Sequence, residues 1–531
     1  MKSKIVALLL ILFITFSFTL VAAKGVQIQS PAEKIGSVKL GEKASGTSLL
    51  ISDGYLYVFG GKMKKTDVGE YMFHALWIFS LKNPAEPEFV GGWFPENLGQ
   101  LVGSDVGWTP LAKYKNFILA RGTSNISVID VSNPKSPKLI KTLMEGGAPL
   151  GIGVYSHYLL AYDVMGDMHC FDLADNFKSV NIEVKYEGDE EELRESMPLE
   201  FFIKGDKLFG VGTGTAVADL SSFPVIKVKK VLKDENGDPL DLESAKLFGD
   251  FIVGSMSYRR GYGAIDTRTE TYYPVEVKDL QNATLHKFAK EGRTLYAVGN
   301  NKKELYAMDA LDILHPKLLW KTKISEEAND IGVYMGYIYL LSGNLIIAYN
   351  SAPFEDVPTD YWAVNAIKYM VSKNIISGYP DGTFKPDKIV TRAEYAKMLA
   401  LFLNLNVSKG RDIYTDVPSS HWAYKYITAV TDAKLMKGYG HGKFGPNDTV
   451  KKEEIITTIV RLKHWEIINP ETGTFPDVPK KYWAYPYIET AVKNGLIKKV
   501  DRGLTDGKFH IKVGATRAQT AELLYRAINK K

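Results

Sequence analysis

From Val26 to Ser351, apolar and polar residues alternate in short runs broken by glycine and asparagine, and helical periodicity is almost absent. One apolar run keeps returning: Tyr55–Phe59, Asn116–Ala120, Tyr158–Tyr162, Lys207–Val211, Asp250–Gly254, Thr294–Val298 and Tyr337–Leu341. Successive starts lie 61, 42, 49, 43, 44 and 43 residues apart. A strand-only period in the low forties predicts propeller blades of four strands each. After most of these runs comes a second strand that ends in Asp, at Asp130, Asp172, Asp219, Asp266 and Asp309. A turn with proline and a third strand follow, clearest in Pro134–Leu143 and Pro316–Thr322.

Seven such units suggest an all-β seven-bladed propeller over residues 24–351. The first spacing hides either a long loop or extra strands, so rings of six or eight blades stay open. The seventh unit ends at Leu345–Ser351 without an outer strand, whereas Pro31–Leu40 matches the outer strands Pro137–Leu143 and Pro316–Thr322. The N-terminal strand is therefore expected to complete the last blade and seal the ring, removing two exposed sheet edges. The run V-I-D-V-S-N-P-K-S-P at 128–137 resembles the LVIVD-type propeller repeat, which implies a repeat shape and no activity.

The pattern then changes. At Asp356, Asp416 and Asp477 the chain reads Asp-Val-Pro, three residues, then Trp-Ala, with Trp362, Trp422 and Trp483 always six after the Asp. The copies stand 60 and 61 residues apart, which marks a repeat array. An aromatic precedes each motif (Phe354, Tyr414, Phe475), and Ala363, Ile367, Met370 and Val371 form a helical stripe after the first Trp. A turn beginning Gly378-Tyr379 leads to Thr391-Arg392-Ala393-Glu394, a capping box in which Thr and Glu each satisfy a free N–H at a helix start. Thr516–Gln519 repeats it; the second copy has Lys451-Lys452-Glu453-Glu454 and loses the capping Thr. Arg392 in a first helical turn lies where the dipole and open N–H groups favour an anion. A guanidinium there can grip a carboxylate with two parallel hydrogen bonds.

Three tandem copies of this pattern resemble surface-layer homology (SLH) domains, over residues 352–410, 411–471 and 472–531. The resemblance implies an all-α three-repeat helical bundle whose grooves hold a secondary cell-wall polysaccharide, typically bearing a pyruvate ketal. The arginine would meet the ketal carboxylate, and the Asp, Trp and turn glycine would touch the sugar. On matching positions this names Asp356, Trp362, Gly378 and Arg392, then Asp416, Trp422, Gly438 and Lys452, then Asp477, Trp483 and Arg517. Lys452 keeps the charge but loses the fork, and the third copy has Lys499-Val500 where the others have Gly-Tyr. The first site is therefore expected to be the strongest.

The N-terminus fits export. Lys2 and Lys4 precede an apolar run from Ile5 to Ala23, the form of a secretory signal peptide, with cleavage expected after Ala23 and an uncleaved membrane anchor as the alternative. The formal net charge is +5, yet residues 351–531 hold 28 Lys and Arg against 19 Asp and Glu. A basic rear behind an acidic front suits a polyanionic partner, on an exported protein a wall polymer rather than nucleic acid. The single Cys170 lies in a strand-like run and reads as a buried thiol. No zinc, P-loop or serine-hydrolase motif is present. Asp234–Asp241 has calcium-like acidic spacing, but Asn236-Gly237 reads as a hairpin turn; Gly188–Glu195 reads as a solvated acidic loop. No metal or cofactor is expected, nor a membrane after signal cleavage. The leading expectation is a wall-anchored binding protein whose propeller meets an unknown surface protein or glycan. A surface-anchored carbohydrate-active enzyme and a subunit of the surface lattice are the alternatives.

Overall fold

A computed structural model describes residues 32–529 apart from 67–68, 95–110, 123–124, 188–196, 257–260, 278–279, 281–282, 300–302, 351–353, 355 and 380–382. The signal segment and the acidic run at 188–195 lie outside the described residues. Seven antiparallel blades form the front of the chain, which settles the blade count. Their innermost strands begin at Ala44, Leu111, Pro149, Met197, Glu243, Leu285 and Asp330. Each touches the next in order and the last touches the first, closing a ring. Within the long first spacing lies an extended hairpin, Tyr55–Thr66 against Gly69–Ser80, while 95–110 lie outside the described residues. Blade 4 carries a fifth strand, Glu183–Tyr186, parallel to its outer strand Val225–Leu232.

The ring closes with strands from both ends of the propeller. Glu33–Lys39 lies antiparallel to Leu345–Asn350, making the outer strand of blade 7. On the inner side, the Asp330 carboxylate of blade 7 accepts the Leu49 N–H of blade 1 at 2.9 Å, and the Asn329 amide donates to Gly46 O at 3.1 Å. The recurrent strand-ending aspartates have a local cause. Asp130, Asp172, Asp219, Asp266 and Asp309 each accept the N–H two residues on, folding the chain back toward the outer strand. Trp77 is core, and Cys170 is buried, with burial pushing its thiol up to about 12. Asp234 uses its carboxylate on the N–H groups of Asn236 and Asp238, with Gly237 at φ +86°, so this stretch is a turn.

Among its described residues the rear region has six helices, two per repeat: α1 Val364–Ser372, α2 Arg392–Phe402, α3 Tyr424–Asp432, α4 Lys452–Leu462, α5 Tyr485–Lys493 and α6 Arg517–Asn529. They share one apolar core running from Phe354 to Ala527. Long irregular turns and a small hairpin, Val500–Asp501 with Thr505–Asp506, separate them, so the expectation of an all-α bundle is met only in part. Ala363, Ile367 and Met370 of the first stripe are buried. Helices α1 and α6 meet the propeller directly: Tyr369 and Tyr525 pack on the core shared by blades 7 and 1. Among the described residues no helix is long and apolar enough to cross a membrane.

Candidate polyanion-binding grooves

The second helix of each repeat begins at a common centre. Val390 N donates to Ala515 O at 3.0 Å, Val450 N to Val390 O at 3.0 Å, and Ala515 N to Val450 O at 2.8 Å. This closed triangle of backbone bonds gives the repeats a pseudo-threefold arrangement. Thr391 caps α2 with a full capping box, and Thr516 with Gln519 does the same for α6. In the second repeat only the Glu454 half survives, accepting from Lys451 N at 2.8 Å.

The three motif aspartates have identical structural work. Asp356 accepts from Phe384 N and Lys385 N, Asp416 from Phe444 N and Gly445 N, and Asp477 from Phe509 N and His510 N, all at 2.7–2.8 Å. Each carboxylate thus ties the strand-like end of a turn to the start of its repeat. Burial opposes the charge of Asp416 and Asp477, but these N–H donors outweigh it and hold both below the usual carboxylate range. The glycines answer to packing. A Cβ on Gly378 would fall 2.2 Å from the Phe354 ring, and one on Gly438 would fall 2.6 Å from the Tyr414 ring.

Each cation crosses into the neighbouring repeat. Arg392 donates to Phe444 O (3.1 Å) and Lys437 O (2.7 Å), both in repeat 2, and pairs with Glu454 at 3.2 Å. Lys452 donates to Leu504 O in repeat 3 at 2.5 Å. Arg517 returns to repeat 1, donating to Phe384 O and Ser377 O at 2.8 Å each. The grooves are therefore shared: Arg392 faces Gly438, Lys452 faces the Asp477 turn, and Arg517 faces Gly378 and the turn held by Asp356. Residues assigned to one copy by spacing do not share one groove.

The cations also sit on aromatic faces. Arg392 lies 4.5 Å from the Tyr439 ring and 4.7 Å from Phe444, and Arg517 lies 4.9 Å from Tyr379 and 4.5 Å from Phe384. Among the described residues Lys452 lies over Phe509, at 4.6 Å, and Lys499-Val500 stands where the other repeats have the Gly-Tyr pair. Burial pushes the Lys452 ammonium down to about 8 and lowers Arg517. One expectation needs correcting. The helix starts do not offer open N–H groups to an anion, since Arg392 N and Ala393 N donate to Asp448 O and Pro446 O, and Arg517 N and Ala518 N to Lys388 O and Pro386 O. Any anion must be met by side chains at the groove mouths.

The three cations are themselves buried, at 4–6% exposure, and the Lys452 mouth opens to solvent. A hollow of about 380 Å³ beside Lys452 is lined by Gly503, Asp506, His510 and Gln519. Trp362 packs flat on Gly503, where a Cβ would lie 2.2 Å from its ring, so all three repeats meet there. Trp422 and Trp483 stand 56% and 51% exposed, which rules out a purely core role for them. The sequence reading missed Tyr379, Tyr439, Lys388 and His510; the Gly-Tyr pair was the available signal for the tyrosines.

This geometry coincides with a known domain. The family profile described as S-layer homology domain matches residues 353–396, 413–456 and 474–521. The three rear repeats are S-layer homology domains. The chain is similar to a cellulosome-anchoring protein of Acetivibrio thermocellus, 38% identical over 147 residues, covering 27% of this chain and 33% of that one. It is also similar to an endoglucanase of Bacillus sp., 31% identical over 179 residues (33% of this chain, 18% of that one). An S-layer protein of Bacillus thuringiensis subsp. finitimus is 31% identical over 173 residues (32% and 21%). The chain thus spans a third or less of the length of these relatives, whose names describe different whole proteins.

Proposed function

We propose that this is an exported bacterial protein held non-covalently at the cell wall by its three S-layer homology domains, with the propeller as the displayed module. The ligand of the grooves is an acidic accessory polysaccharide of the wall, in the finest form of the reading a pyruvylated one. The observation that carries this is the cyclic set of three mouths, each pairing a cation on an aromatic face with a turn locked by an aspartate. Trp362 at the Lys452 mouth and the exposed Trp422 and Trp483 offer flat apolar faces to sugar rings, and the cations offer charge to a carboxylate. The names of the similar proteins, an anchoring protein and an S-layer protein among them, favour the same location. We read the propeller as a binding module for a surface protein or glycan, built from LVIVD-type repeats. The test is co-sedimentation of the full chain with purified wall sacculi, before and after acid extraction of their accessory polysaccharide. Retention only on unextracted sacculi is expected; equal retention on both overturns the reading.

A further inference from the structure

The Arg517 groove lies at the seam between the two domains, and a propeller side chain reaches it. Arg293 stands on the turn between Leu285–Glu291 and Thr294–Gly299 of blade 6. Its guanidinium forks onto Asp309, with Nε 2.9 Å from Oδ1 and Nη2 bonded to Oδ2. Asp309 ends a strand of the same blade, so the sheet fixes where the guanidinium points. The remaining nitrogen, Nη1, donates to the backbone carbonyl of Tyr379 in the first S-layer homology domain.

Tyr379 is the hub of the groove. Arg517 lies 4.9 Å from its ring, and the ammonium groups of Lys385 and Lys388 lie 4.5 and 4.9 Å from it. Lys388 Nζ also donates to the Tyr379 hydroxyl at 2.9 Å. Among the described residues, Asp309 is engaged by Arg293, Glu394 by Lys388 at 3.6 Å, and Asp356 by two backbone N–H groups. Arg392 directs Nη1 to Glu454, whereas among the described residues Arg517 donates from Nε and Nη2. Tyr439, the counterpart in the Arg392 groove, is 59% exposed.

We propose that the Arg517 groove is a site for acidic glycan assembled from both domains, with Arg293 of the propeller as its positioning residue. This rests on the reading that the repeats bind wall polysaccharide. By holding the Tyr379 carbonyl, Arg293 fixes the ring on which three cations are ordered, so the groove meets a carboxylate already arranged. The domain seam thereby makes the three grooves unequal, and the Arg517 groove, not the Arg392 one, becomes the strongest.

The test compares the full chain with Arg293→Ala, Lys388→Ala and the double variant, reading retention on sacculi and the melting temperature. Arg293→Ala is expected to weaken retention roughly five- to tenfold, the scale of one ordinary hydrogen bond, in a chain that still melts cooperatively. The two substitutions should combine less than additively, because both act through Tyr379. Additive effects would indicate a structural role only and overturn the proposal, as would unchanged retention by Arg293→Ala. Should Arg293→Ala fail to fold, Arg293→Lys keeps a charge beside Asp309 but cannot bridge to Tyr379, and the same outcomes apply. Failure of the unmodified chain to bind would instead overturn the anchoring reading itself.

Discussion

Replacing Lys368 by methionine should erase a pH dependence written into the domain seam. Lys368, on α1, is 2% exposed and lies between the S-layer homology domain and blade 7. Its ammonium hydrogen-bonds Asn350 Oδ1 and Gly336 O and sits 4.4 Å from the Tyr337 ring. Burial nevertheless pushes it from the usual 10.5 down to about 7, the Glu291 carboxylate opposing only in part. Glu291 is itself raised by burial, against two backbone N–H donors at 2.6 and 2.5 Å. A lowered lysine binds fewer protons in the folded state, so its cost is complete below about pH 7 and fades as pH rises toward 10.5. The full drop corresponds to about 5 kcal/mol, and relaxation with water penetration brings this to about 2–3 kcal/mol. Urea denaturation of both chains at neutral and alkaline pH isolates the effect, since groups that do not interact with Lys368 cancel in the difference. Between about pH 7 and 10 the wild type should gain about 2–3 kcal/mol on Lys368→Met. A difference constant to within about 0.5 kcal/mol over that range would refute the argument.

Other consequences are simpler to read. Deleting residues 24–42 removes the partner of Leu345–Asn350 and reopens the ring; the propeller melt should fall by more than about 10 °C, and an unchanged melt would contradict the closure. Asp416→Ala strands the N–H groups of Phe444 and Gly445 and should cost about 2–4 kcal/mol by urea titration. Because Asp416 and Asp477 are held below their unfolded values, the stability they give is present above about pH 4 and is lost as pH falls through their folded values, so acid titration should melt the rear domains. Trp422→Ala and Trp483→Ala, at exposed positions, should leave stability within about 0.5 kcal/mol yet weaken retention on sacculi. Cys170 should react with thiol reagents only on unfolding, since burial pushes it up to about 12.

Much of the architecture was written in local patterns. The apolar run after each tight turn became the second strand of a blade, and the terminal aspartates declared the turns that follow, because both are short-range effects. The capping box Thr391–Glu394 was equally legible, as its partners lie three residues apart. What stayed hidden was which turn each cation faces. Spacing places Arg392 beside Gly378, but a side chain leaving the first turn of α2 projects across the triangle of Val390, Val450 and Ala515 into repeat 2. Arg293 was likewise unreadable, since its meaning depends on a docking that brings residues 86 apart into contact. A repeat pattern reports what each copy contains and is silent on how copies exchange parts.

That exchange makes the rear domains a unit, not three independent binders. If each repeat carried its own groove, a chain ending at residue 471 would keep two. In the observed arrangement the loss of repeat 3 removes Arg517 from the Gly378 turn and also removes Leu504 and Asp477 from Lys452. Only the Arg392 groove, with Lys437, Phe444 and Glu454, keeps all its parts. The triangle of backbone bonds opens as well, leaving Val390 N and Val450 O without their partner at Ala515. Calorimetric titration with solubilised wall polysaccharide should therefore find at most one site on the shortened chain, once a melting curve shows that it is folded. Two sites on that chain would mean that each repeat binds alone, and the shared grooves described above would not be the binding unit.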